Sequence, residues 1–326
     1  MSERVSRRRV LTMIGMTAAG LATGAGRGLA AAIDYEWRGT AMGADARLLF
    51  CGGDRAAVRM AVRMAMSEID RLEDALSLFR DRSEIARLNR DGRLVGPSGD
   101  LRRALALGLT VARSTGGLYD PTVQALWEAH VDWFAARPAA ELPPDALIAQ
   151  ARARVGWRSI DVAAGRIELG ERRRITLNGL GQGYVTDRVA DLLRQRGFEH
   201  VLVDLGEQRA LGPRADGAPW LIARETAEPI ALSAGALATS EGAGCVIGAG
   251  GLAHHLFDPR TGRSAQPWRR LTVAHRSAAV ADALSTGLYA ASHAEIGDGL
   301  ARFPGAQAWA TDRDGREWRF GAPNAL

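Results

Sequence analysis

The chain has 326 residues, 47% hydrophobic and 24% charged, with a formal net charge of +5. That length suffices for one large domain or two small ones, and the composition excludes a disordered or fibrous chain. Five arginines and one acid, Glu3, lie in residues 1–32, so the rest carries only about +1, which argues against a basic nucleic-acid-binding face.

No Lys occurs anywhere. Every basic side chain is Arg, which reflects genome composition, because a site's demand for phosphate contacts would not empty the whole surface of Lys. The segment Ser6-Arg7-Arg8-Arg9-Val10-Leu11 carries a twin arginine, an apolar Gly/Ala-rich run follows to about Ala25, and Ala30-Ala31-Ala32 offers a cleavage site. This is the layout of a twin-arginine export signal over residues 1–32, and it predicts a periplasmic protein with its folded domain at 33–326. The apolar run is too short and too rich in Gly and Thr for a membrane anchor, which needs about 20 strongly apolar residues. No Cys sits near the cleavage site, against a lipoprotein anchor. An oxidising compartment permits a disulfide between Cys51 and Cys245, but two unpaired buried Cys is the favoured reading, and there is no CxxC.

After the Gly52-Gly53 turn, Asp54 can cap a helix whose apolar positions Val58, Val62, Ala65, Ile69, Leu72 and Leu76 recur at spacings of four and three. A second short helix is predicted from Ser83 to Leu88, and a third from about Asp100 to the Gly116-Gly117 pair. Pro138, Pro143 and Pro144 mark a surface connection. Arg174 to Leu177 reads as a strand entering a glycine turn. Tyr184 to Arg196 reads as a helix stopped by Gly197, with Val185, Val189, Leu192 and Leu193 on one side. His200 to Leu205 is a buried strand, strands and glycine turns run from Leu221 to about Phe257, and Val280 to Ala291 is a helix before a final strand or two. Strands and helices mix without regular βαβ alternation, which predicts α+β.

Three segments carry chemistry. In Ile175-Thr176-Leu177-Asn178-Gly179-Leu180-Gly181-Gln182-Gly183-Tyr184, a strand meets spaced glycines and then a helix. Such glycines admit a phosphate to backbone N–H groups, or they serve close packing, and the two readings are about equal here. A dinucleotide fold is a weaker fit, since Tyr184 stands at the third glycine position although Asp204 mimics a ribose-binding acid. Asp282 and Thr286 are four apart and share a helical face, suiting a hard cation such as Mg²⁺. On spacing alone, a capping Asp and a back-bonded Thr is the preferred reading. In His254-His255-Leu256-Phe257-Asp258-Pro259-Arg260-Thr261-Gly262, adjacent His on a strand face opposite ways, so they do not share a metal. One of them can serve as a general base.

Together and in this order, the segments resemble the ApbE family of FAD:protein FMN transferases. Gly39-Thr40-Ala41-Met42-Gly43 is similar to that family's TMGT stretch, and Leu76-Ser77, Ser83-Glu84-Ile85 and Leu88-Asn89 continue the likeness. Gly117 to Val123 resembles GxFDPTV, Gly179 to Asp187 resembles GxxKGYxxD, and Val203 to Gly206 resembles the stretch before GGD. Ala238-Thr239-Ser240 is similar to ATS, His255 to Gly262 to HxxDPxTG, and Asp282 to Thr286 to DAxxT. Departures are Gln182 for a Lys, Glu207-Gln208 for Gly-Asp, and Glu241 for a Gly.

The resemblance implies an α+β ApbE-like fold with mixed or antiparallel sheets flanked by helices and FAD in a cleft. It implies Mg²⁺ held by Gly179, Asp282 and Thr286, and FAD contacts at Met42, Phe79, Leu118, Tyr119, Asp120, Thr176, Gln182 and Leu256. His255, or Asp258 beside it, would accept the proton of a target Thr or Ser. The implied partner is a client with an FMN-binding domain of the NosR, RnfG or NqrC kind, and the leader is similar to that of the NosX-type branch. Alternatives are an FAD-binding or FAD pyrophosphatase protein, a nicotinamide oxidoreductase, and a non-catalytic maturation factor of a periplasmic redox complex.

Overall fold

The computed structural model describes residues 33–137, 141–225, 227–248, 251 and 253–322. The expected export signal and Pro138 lie outside the described residues. Among the described residues, no helix is long and apolar enough to cross a membrane.

One sheet organises the chain. Its eight strands are β1 (Tyr35–Ala41), β2 (Ala44–Phe50), β3 (Val201–Asp204), β4 (Gln208–Ala210), β5 (Gly235–Glu241), β6 (Arg270–His275), β7 (Gln307–Thr311) and β8 (Glu317–Phe320). They lie side by side in chain order, and every neighbouring pair is antiparallel. Among the described residues, six α-helices enter between β2 and β3: α1 (Arg55–Leu76), α2 (Glu84–Asp91), α3 (Gly99–Ser114), α4 (Gln124–Ala136), α5 (Asp145–Arg152) and α6 (Gly181–Gln195). Two more, α7 (Ala278–Leu288) and α8 (His293–Ala301), enter between β6 and β7. Segregated helices against an antiparallel sheet make the α+β architecture expected from the sequence.

The two-residue period of a strand sends alternate side chains to two cores. Leu48 and Phe50 of β2 join the main core beneath the helices, with Val203, Ala238 and Val273. Leu49, Leu202, Leu237 and Ala274 face the other way, under a hairpin of Trp220–Ile222 and Ile230–Leu232. With both faces covered, all four residues of β3 are buried. A third cluster packs Leu126, Phe134 and Phe257 beneath α4 and α5.

The first helices form as their caps and periodicity dictate. Asp54 accepts from Ala57 N, and Val58, Val62, Ala65, Ile69, Leu72 and Leu76 are all buried along α1. Each such Leu or Ile contributes about 1.5–3 kcal/mol by leaving water. Ser83 caps α2, which ends at Gly92 in the left-handed region (φ 70°).

Three expected elements differ, and the first is the helix expected from Tyr184 to Arg196, which spans Gly181–Gln195. Residues 174–177 form no strand. Their backbone bonds go instead to the Asn89 side chain, which donates to Ile175 O and accepts from Ile175 N, and to Pro121 O, which accepts from Thr176 N. The helix expected from Val280 to Ala291 starts at Ala278 and ends at Leu288, because Ser277 caps it by accepting from Val280 N.

Candidate metal and nucleotide site

Helix α7 is buried along almost its whole length and built mainly of small residues. It lies between the sheet and α6, and glycines let the backbones meet. A Cβ at Gly183 would lie 2.3 Å from Ala278 O, one at Gly179 would lie 2.6 Å from Thr286 Cγ2, and one at Gly287 would lie 2.7 Å from Tyr119 Cβ. Close approach is therefore what the glycine turn provides. Leu180 N and Gly181 N both donate to Leu177 O, Tyr184 N donates to Leu180 O, and Gly183 N donates to Asp282. Four N–H groups of the turn are thus taken within the protein and do not cradle a phosphate.

Asp282 sits in the middle of this apolar helix, only 4% exposed. It does not cap the helix. Its Oδ2 accepts from Gly183 N at 3.0 Å. Burial pushes its carboxyl up to about 7, opposed by the Gly183 N–H and reinforced by Asp187. A carboxylate enclosed this way requires a proton or a cation. Thr286 lies one turn on, against Gly179. Asp282 and Thr286 offer a carboxylate and a hydroxyl, oxygen donors of the type that hard divalent cations take, with the Gly179 backbone against Thr286. Among the described residues, no group of three His, Cys, Asp or Glu could hold a metal.

The last residue of the Gly179-to-Asp187 motif fastens α7. The Asp187 carboxylate accepts from Ser277 Oγ (2.6 Å), Ala278 N (2.9 Å) and Ala279 N (3.1 Å), and pairs with Arg209 at 2.6 Å. An acid at a helix N-terminus satisfies free N–H groups and complements the dipole. Sequence reasoning gave this residue no role, and its place in the motif was the available signal. It likewise missed Glu207, a second enclosed acid, 6% exposed, that accepts from Thr239 N at 3.2 Å. Burial raises the Glu207 carboxyl well above the usual range, and Asp282 and Asp204 add to the shift.

Of the residues expected at FAD, Met42 and Tyr119 meet the glycine turn and α7. Met42, at φ 50°, donates its N–H to Glu73 at 2.7 Å, and its Cε faces Gly181. Leu118 and Tyr119 are buried, with the Tyr119 backbone on Gly287. Burial holds the Tyr119 phenol well above its ordinary range, and Asp282 and Asp120 add to this. The Asp120 carboxylate accepts from Thr122 N (2.8 Å), Thr122 Oγ1 (2.5 Å) and Trp157 N (3.1 Å), so it holds its own turn. Thr176 Oγ1 accepts from Asn178 N at 3.1 Å. Gln182 packs on Gly206, which sits at φ 101°. Leu256 is in the main core. Phe79 differs from the set in being 47% exposed.

The two histidines are distinguished by their bonds. His254 Nε2 lies 2.8 Å from Ala265 O and must donate, while its Nδ1 accepts from Leu256 N at 3.3 Å. Both nitrogens are engaged. His255 Nδ1 lies 3.2 Å from Cys245 O and must donate to it. That tautomer leaves Nε2 as the ring's acceptor. Burial pushes His255 down to about 4, so the ring is neutral at pH 7. The Asp258 carboxylate is held by Arg260, which donates from its backbone N at 2.8 Å and from Nε at 2.9 Å. Arg260 also donates to Ala290 O and pairs with Glu295. Both cysteines are free thiols.

The sequence model of the ApbE family matches residues 42–309. An FAD:protein FMN transferase of Vibrio cholerae is 30% identical over 245 residues, 68% of this chain and 72% of that protein. One of Haemophilus influenzae is 27% identical over 234 residues, 66% of this chain and 67% of that protein. Among solved structures, the ApbE protein of Thermotoga maritima superposes with a TM-score of 0.79 at 24% identity, covering 88% of this chain and 96% of that one. Flavin transferase ApbE of Vibrio cholerae gives 0.75 at 23%, covering 88% and 97%. These structures share the fold. With a family match across most of its length, and with the family's motifs converging on α6 and α7, the chain belongs to the ApbE family.

Proposed function

We propose that this protein is a Mg²⁺-dependent FAD:protein FMN transferase, acting in the periplasm on a client that carries an FMN-binding domain. The single observation that carries the reading is the enclosed Asp282 carboxylate, set beside Thr286 and the Gly179 backbone in a chain whose relatives are FAD:protein FMN transferases.

In the reaction, the hydroxyl oxygen of a client Thr or Ser bonds to the FMN-side phosphorus of FAD. The bond from that phosphorus to the bridging oxygen breaks, AMP leaves, and FMN remains on the client as a phosphoester. Asp282, Thr286 and the Gly179 carbonyl would hold Mg²⁺, which when bound neutralises charge on the phosphoryl oxygens and the leaving group. His255 accepts the hydroxyl proton at Nε2. Its neutral state at pH 7 keeps that nitrogen available, and the Nδ1 bond to Cys245 O fixes the tautomer. Leu118, Tyr119 and Leu256, all buried, would keep water from competing with the client hydroxyl. Asp258, committed to Arg260, shapes the turn that carries His255.

The test is incubation with FAD, Mg²⁺ and a purified FMN-binding domain, read by mass spectrometry. A gain of FMN on the client is expected, and Asp282→Asn should lose it while remaining folded. Free FMN and AMP without client modification would instead establish an FAD pyrophosphatase. Full activity in the Asn variant would overturn the metal assignment.

A further inference from the structure

A hydroxyl has one hydrogen and two lone pairs, and it can serve a cation only if its hydrogen points elsewhere. Three contacts determine where the Thr286 hydrogen goes. Ser285 Oγ lies 3.0 Å from Asp282 O. A carbonyl only accepts, so the single Ser285 hydrogen is used there. Ser240 Oγ lies 2.9 Å from Ser285 Oγ, and with that hydrogen committed Ser240 must donate. Thr286 Oγ1 lies 3.4 Å from Ser240 Oγ, long for a hydroxyl pair, and the remaining polarity has Thr286 donating. The protons therefore run one way, from Thr286 to Ser240 to Ser285 to the Asp282 carbonyl. Ser240 and Ser285 are both buried.

We propose that Ser240 and Ser285 are positioning residues for the divalent cation. They draw the Thr286 hydrogen toward β5 and leave the lone pairs of Oγ1 for the side where Gly179 lies. A Cβ at Gly179 would be 3.0 Å from Thr286 Oγ1, so backbone and hydroxyl border the same space. This inference rests on the reading of Gly179, Asp282 and Thr286 as the cation's donors. Ser240 closes the Ala238-Thr239-Ser240 motif, and Ser285 occupies an unspecified position between Asp282 and Thr286, so spacing alone assigns neither a task. Partners that orient a ligand in this way are worth roughly 10–100-fold in metal affinity.

The test uses the purified protein and Mn²⁺ as a probe visible by electron paramagnetic resonance, with Mg²⁺ as competitor. Ser240→Ala and Ser285→Ala should each weaken Mn²⁺ binding by roughly tenfold, with little change in metal-free unfolding temperature. Ser285→Ala is the more telling, because Ala favours the helix and a mere packing role predicts no loss. The double variant should bind no worse than Ser240→Ala, since both act through one chain of bonds. Parental affinity in both single variants would overturn the proposal. Asp282→Asn separates the two levels. If it abolishes Mn²⁺ binding while both serine variants bind normally, only the relay is wrong. If it binds as the parent does, the cation reading fails and the relay with it.

Discussion

Gly183→Ala tests how the site is held together. Gly183 is the third residue of α6, and its backbone is ordinary helix, so conformational strain is not at issue. The added methyl would meet Ala278 O at 2.3 Å, Ala278 C at 2.6 Å and Ala279 Cα at 2.8 Å, where ordinary contact is 3.4–4 Å. These are backbone atoms that Asp187 and Ser277 hold in place, so the helices must part by about 1 Å. Overpacking of this kind costs about 3 kcal/mol. Stretching the Gly183 N–H bond to Asp282 adds about 1.5 kcal/mol, and replacing Gly in a helix returns about 1 kcal/mol. The net loss is about 3–4 kcal/mol, or roughly 10 °C in Tm for a domain of this size. Gly181→Ala is the matched control, because its methyl would meet only Met42 Cε at 3.5 Å. It should stay within about 0.5 kcal/mol of the parent. Urea unfolding followed by circular dichroism measures both. A Gly183 variant as stable as the parent, or a Gly181 variant equally damaged, would refute the close-packing account.

The remaining predictions concern protonation, capping and thiols. His255 is pushed from 6.5 down to about 4 by burial, so the unfolded chain takes the proton first as pH falls. Its contribution is fully present above the unfolded value and is lost as pH drops through the folded one, at most about 3 kcal/mol. His255→Gln should flatten the parent's stability slope over that window in urea titrations, and an unchanged slope would contradict the shift. Asp120→Asn should lose about 1–2 kcal/mol in urea unfolding, because the amide cannot accept all three bonds to Thr122 and Trp157. Unaltered stability would mean the carboxylate does not hold its turn. Alkylation of the unfolded protein without reductant should add two labels, one each at Cys51 and Cys245. Finding none would reveal a disulfide.

Local signals carried the outer helices. Asp54 and Ser83 cap α1 and α2, and the spacing from Val58 to Leu76 gave the buried stripe residue by residue. Periodicity was silent for α7, because a helix buried on nearly all sides has no polar face to mark its phase. The expected start at Val280, with Asp282 read as a capping residue, therefore missed Ser277, which is the cap. The segment at 174–177 looked like a strand because its partners, Asn89 and Pro121, are distant in sequence. The glycine turn left two readings open, and only the approach of Gly179 and Gly183 to α7 separates them. Glu207 appeared as a departure from the motif, and its enclosure beside Asp282 emerges only when β3, β4 and α7 come together.

The middle of the sheet joins segments that are synthesised far apart. Arg47 of β2 pairs with Asp204 of β3 at 2.8 Å across 157 positions of chain. The hairpin of β1 and β2 leaves the ribosome early, yet the free edge of β2 has no strand partner until all six intervening α-helices have been made. Loops this long close slowly, and an uncovered strand is prone to self-association meanwhile. The nascent protein is therefore most vulnerable to aggregation before Val201 emerges, and substitutions that make β2 more adhesive should lower its yield more than its finished stability.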